Sequence, residues 1–124
     1  MKSVLDIVTT CEYTNYMIME LLGHKDYIRV LLALDDKPLR FSALQKALSL
    51  KPTQLDRALK SLRKGHWIIP HVAPTAGGRI LVEYRLGKRG TAFLRSFNVF
   101  SKDAARRTAA LGYSEVAELR SLYR

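Results

Sequence analysis

Between Pro52 and Leu86 the apolar residues change period once, and the change falls on a glycine. Up to Gly65 they recur at Leu55, Ala58, Leu59 and Leu62, the spacing of one face of a helix. Pro52 suits the first turn of that helix and Gly65 its C-terminal end. Beyond Gly65 the period shortens to two. The runs 66–72 and 80–86 are strand-like; in the second, Ile80, Val82, Tyr84 and Leu86 alternate with Leu81, Glu83 and Arg85. Between them Pro74, Thr75, Ala76, Gly77 and Gly78 supply the permissive backbone of a hairpin loop. Pro70 has no N–H to give to a ladder, which predicts an edge position for the first strand. The rest of the chain has to be arranged around a helix that runs directly into a hairpin.

Upstream, residues 3–22 place Val4, Val8, Cys11, Ile18 and Leu22 at steps of three and four, with Asn15 in the same stripe. This spacing predicts an amphipathic helix ended by Gly23. From Lys25, the set Ile28, Leu31, Leu32 and Leu34 predicts a second helix, closed by Asp35, Asp36, Lys37 and Pro38. A short extended piece over 39–41 precedes a third helix, capped by Ser42 and buried through Leu44, Ala47 and Leu48. After the hairpin a helical region starts near Gly90, with Phe93, Phe97, Phe100 and Ala104 at steps of four, three and four. Gly112 breaks it, and Ser114 caps a last short helix bearing Val116, Leu119 and Leu122. Helix, helix, strand, helix, helix, hairpin, helix is the order of a winged helix-turn-helix. The expected fold class is α+β, mainly α, with helical extensions at both ends. The expected divisions are an N-terminal dimerisation helix over 1–23, a winged helix-turn-helix domain over 24–97 and a C-terminal helical extension over 98–124.

Charge is segregated along this order. Residues 37–95 hold thirteen basic side chains and two acids, Asp56 and Glu83, for +11, whereas 1–36 carry −3 and 96–124 carry +2. Solubility alone does not require such segregation, and a basic block interleaved with regular apolar spacing is the electrostatic footprint expected of a folded module that binds nucleic acid. The 124 residues fit one domain with its own core and leave no room for a second, catalytic one. No apolar run approaches the roughly 20 residues that span a bilayer, and Asp6, Thr9, Thr10 and Glu12 interrupt the N-terminal apolar residues, unlike a signal peptide. A cytoplasmic protein is expected. Cys11 is the sole cysteine, so neither an internal disulfide nor a cysteine zinc set is available. On the apolar stripe it is expected to be buried and inert.

Opposite the leucines of 52–65 lie Thr53, Arg57, Lys60 and Lys64. Such charges usually form a merely solvated face. On the second helix of a helix-turn-helix, however, that face is the one a DNA major groove accepts. Arg57 has the fork to read guanine O6 and N7, while Gln54 and Thr53 could reach adenine edges or thymine methyls. Lys46, Lys51, Lys60 and Lys64 are assigned to phosphates. Arg79, beside two glycines in the hairpin loop, either enters a minor groove or rests on backbone phosphates. His66 and His71 are five apart on a strand and face opposite sides, so they cannot share a metal; no cofactor is expected. With no Gly-rich phosphate loop, no Ser-centred elbow and no paired acids in the basic region, an enzyme is not expected. Phe93, Phe97 and Phe100 read as core or dimer-interface side chains.

Three strings carry a family resemblance: Arg40-Phe41-Ser42-Ala43-Leu44, the run from Gln54 to Gly65, and the run from Val82 to Gly90. Over about residues 20–97 the chain resembles winged helix regulators of the HxlR type, within the broader MarR-like set. The family has Ser or Thr before the helix-opening proline; Lys51 stands there in this chain, which moves the expected cap to Thr53, with Asp56 three residues on. The resemblance implies a dimeric transcriptional regulator, its recognition helix in the major groove and its wing at the neighbouring minor groove. Double-stranded DNA and a second copy are thus the expected partners, and the sequence does not name an effector ligand. The alternatives are an architectural or nucleoid protein that coats DNA without strong sequence preference, and a winged helix serving as a protein adaptor.

Overall fold

The computed structural model describes residues 18–113. A helical segment over 18–23 leads into α1 (Lys25–Asp36), β1 (Leu39–Arg40), α2 (Phe41–Leu48), α3 (Pro52–Lys64), β2 (Ile68–Pro74), β3 (Ile80–Leu86) and α4 (Lys88–Ala109). The three strands form one antiparallel sheet in the order β1-β3-β2, with Leu39 opposite Tyr84 and Ile68 opposite Leu86. This is the helix-rich α+β arrangement that the element order predicts. Pro70 lies on the edge strand β2, where its missing N–H costs no ladder bond. No helix among the described residues is long and apolar enough to cross a membrane.

The core lies between α1, α2, α3 and the sheet. α1 buries Tyr27, Ile28, Val30, Leu31, Leu32 and Leu34, a face wide enough to meet α2, α3, α4 and β3 at once. α3 adds Leu55, Ala58, Leu59 and Leu62, the four positions that its period marks as inward. Trp67, at the start of the hairpin, is buried against α4: it meets Phe93 edge-on at 5.6 Å, and Phe93 stacks on Phe97 at 5.8 Å.

The turn between α2 and α3 is three residues long and needs a left-handed residue, supplied by Ser49 (φ 53°) rather than a glycine. Leu50 is buried inside it. Arg29 reaches from α1 to donate from Nη2 to the Leu48 carbonyl at 2.6 Å, satisfying an acceptor that the helix itself leaves open. The C-terminal end of α3 is finished in the same way. Arg89 Nη1 donates to the Gly65 carbonyl at 2.7 Å while its guanidinium lies 3.9 Å over the Trp67 ring. Gly90 lets α4 start this close to the hairpin, since a Cβ there would overlap the Trp67 carbonyl oxygen.

Several expectations need correction. Leu21, not Leu22, is the buried residue of the first helical segment, with Ile18 half-buried beside it. Gly23 stays helical; the break is the extended His24 (φ −122°, ψ 102°). Ser42 does not cap α2, which begins one residue earlier after Arg40 with no side-chain cap. Ala47 is exposed, and Leu50 takes the buried place instead. Of the phenylalanines read as core or dimer-interface side chains, Phe97 takes the core alternative with Phe93 packed against it, and Phe100, exposed, does not. Val4, Val8, Cys11, Asn15 and the last helix with Val116, Leu119 and Leu122 lie outside the described residues.

Candidate nucleic-acid interface

α3 sets the geometry of the candidate site. With Leu55, Ala58, Leu59 and Leu62 fixed inward, Thr53, Gln54, Arg57, Lys60 and Lys64 are all exposed. Its cap is Lys51, not Thr53: Gln54 Oε1 accepts from the Lys51 N–H at 3.2 Å, so a glutamine closes the first turn. This engages the carbonyl end of Gln54. Asp56, assigned to that cap, instead pairs with Lys60 at 2.9 Å across one turn. Both side chains are exposed, so the pair contributes about 0.3–0.5 kcal/mol and Lys60 can exchange it for another anion. Arg57, Lys64 and the Lys51 ammonium make no hydrogen bond or ion pair among the described residues.

Lys46 projects from α2 into an open depression of about 700 Å³ whose lining also includes Arg40, Ser42, Gln45 and Ser49. Two cations and three neutral hydrogen-bonding side chains in one hollow suit an anionic backbone. Arg40, whose string the sequence singles out only for a family likeness, was missed as a site residue; its place on a two-residue strand opposite Glu83 is not visible in any period.

Arg79 closes the hairpin loop. Thr75 donates to the Arg79 carbonyl twice, from its N–H at 3.1 Å and its hydroxyl at 2.7 Å, and Gly78 (φ 77°) donates back to Thr75 at 3.1 Å. The backbone of Arg79 is therefore tied down, while its side chain is exposed and makes no hydrogen bond or ion pair among the described residues. Arg29 and Arg89, by contrast, are spent on helix ends and are not available to a ligand in that conformation.

No protein-family model and no curated protein sequence matches the chain. Solved structures do match its fold. The reduced form of the transcriptional regulator YodB from B. subtilis superposes with a TM-score of 0.64 at 24% identity, over 72% of this chain and 86% of that one. Diamide-treated YodB gives 0.61 at 25% identity, over 70% and 85%. The transcriptional repressor BigR from Xylella fastidiosa gives 0.61 at 14% identity, over 82% and 96%. By these likenesses the chain has the winged helix fold found in transcriptional regulators.

Proposed function

We propose that this protein is a dimeric, non-enzymatic transcriptional regulator of the HxlR type that binds duplex DNA sequence-specifically, with α3 in the major groove and the β2–β3 hairpin toward the adjacent minor groove. The observation that carries this reading is α3 itself: its inward face is wholly apolar, and Thr53, Gln54, Arg57, Lys60 and Lys64 leave the molecule on the other side. The names of the structural neighbours support a regulatory role. In this reading Arg57 and the amide nitrogen of Gln54 read base edges, with Thr53 beside them. Lys46, Lys51, Lys60 and Lys64 hold phosphates, and Arg79 meets the minor groove or its phosphates.

Selection of bound fragments from random duplex, followed by competition, tests this. A specific regulator prefers its selected site by about 10³-fold or more over random DNA. Arg57→Ala should then cost about 1–3 kcal/mol and relax one base position, whereas Lys64→Ala weakens all sequences alike. Equal affinity for every duplex would instead support an architectural protein, a role that +10 on 14.1 kDa also suits.

A further inference from the structure

Burial changes along one face of the hairpin. Directly opposed residues of an antiparallel pair share a face, so Ile68/Leu86, Pro70/Tyr84, Val72/Val82 and Pro74/Ile80 form a single apolar strip from the core to the loop. At the core end Ile68 is buried and Leu86 and Tyr84 are half-buried. Toward the loop Val82 is 40% exposed, Val72 56% and Ile80 73%. The outer half of the strip therefore emerges from the protein as bare hydrocarbon.

The strip ends at a rigid apex. The three hydrogen bonds among Thr75, Gly78 and Arg79 fix the chain just before Ile80, and β-branching restricts the Ile80 side chain further. Arg79, next to it, is exposed and makes no hydrogen bond or ion pair through its side chain among the described residues. From Ile68 to Val82 the chain contains no acid, and Arg79 is its one permanently charged residue. A cation alone at the tip would suffice to rest on phosphates. A stiff apolar pair beside that cation matches a different use, in which side chains such as Ile or Pro are pushed between base steps from the minor groove and the duplex bends away.

We propose that Ile80, backed by Pro74, is an apolar wedge that enters the minor groove beside Arg79 and opens one base step. The inference rests on the DNA-binding reading above. It adds a distortion, and with it a preference for steps that unstack easily, such as TA and CA. Positive charge at the apex favours a nucleic acid over an apolar protein partner as the occupant.

End-labelled duplexes with TA, CA or GG at the wing-side step, carrying 2-aminopurine at that step, report bending by energy transfer and unstacking by fluorescence. The native protein should bend the TA and CA duplexes more than the GG duplex and raise the 2-aminopurine signal. Ile80→Ala should abolish both effects while duplex binding persists, and Ile80→Leu should restore them; circular dichroism checks that each variant is folded. Binding without bending or unstacking by the native protein overturns the wedge and leaves the DNA-binding reading standing. Failure to bind any duplex removes both. If Ile80→Asp shifts the sedimenting species to a smaller mass, the strip is an interface between copies and the wedge is wrong.

Discussion

Arg89 does two jobs with one planar group: it caps the Gly65 carbonyl and covers the face of Trp67. Removing it strands a carbonyl at the negative end of α3 and uncovers the indole. Arg89→Ala should cost about 1.5–3 kcal/mol, the range for a hydrogen bond to a charged group, as read from urea unfolding followed by circular dichroism. Arg89→Lys should recover only part of this, because an ammonium cannot lie flat on the ring while reaching the carbonyl. Asp103 offers a smaller effect of predictable sign. Hydrogen bonds from Arg106 and then Arg107 hold its carboxyl below the ordinary aspartate value of 3.8. A carboxyl depressed by folding stabilises the native state above its unfolded pKa, and this contribution is lost as pH falls through the folded value. The end of α4 should therefore lose helicity slightly on acidification below the ordinary aspartate range, and Asp103→Asn should remove that dependence. A carbon-detected titration placing the Asp103 midpoint at or above 3.8 would contradict it.

Elements were legible in the sequence to the extent that their residues repeat. The period of α3 gives its four buried residues correctly, and Leu55→Ala or Leu59→Ala should cost about 2–5 kcal/mol by leaving a cavity under its basic face. Alternation in β3 likewise identifies the face that holds Ile80, Val82, Tyr84 and Leu86, but only part of that face is covered. Period reports which way a side chain points and is silent on whether anything lies there. The same limit explains Phe100, which keeps the step of Phe93 and Phe97 yet extends past the packing they share. Contacts between distant elements leave no local trace at all. Nothing near Arg29 or Arg89 in the chain marks either as the finishing donor of a helix 19 or 24 residues away. Of the candidate site, the basic face of α3 was readable and the Asp56–Lys60 pairing and the hollow beside Arg40 were not. Gly90→Ala tests the element junction. The added methyl must push α4 off the hairpin backbone, which should cost about 1–3 kcal/mol or more, whereas Gly77→Ala, with open space around it, should cost little by the same unfolding measurement.

At the scale of the whole molecule, α4 leaves Val99 exposed on the side away from Leu94, Phe97 and Ser101 and Phe100 exposed at the margin of that buried face, with Leu111 and Tyr113 exposed beyond its end. If this surface and the N-terminal residues pair two copies, Phe100→Asp should shift the sedimenting species toward monomer and weaken binding to a full site more than to a half-site. The paired recognition helices would then lie about 34 Å apart, and the preferred site would be an inverted repeat with half-site centres roughly 10 base pairs apart or a multiple of that. A native protein that sediments as a monomer at micromolar concentration, with and without DNA, would rule out that arrangement. The junction beneath Arg89 has one more consequence. Trp67 is the sole tryptophan of the chain, and it is buried where α3, the hairpin and α4 meet. Its emission is thus an unlabelled optical gauge of how those three parts sit together, against which small molecules can be screened for any that shift them.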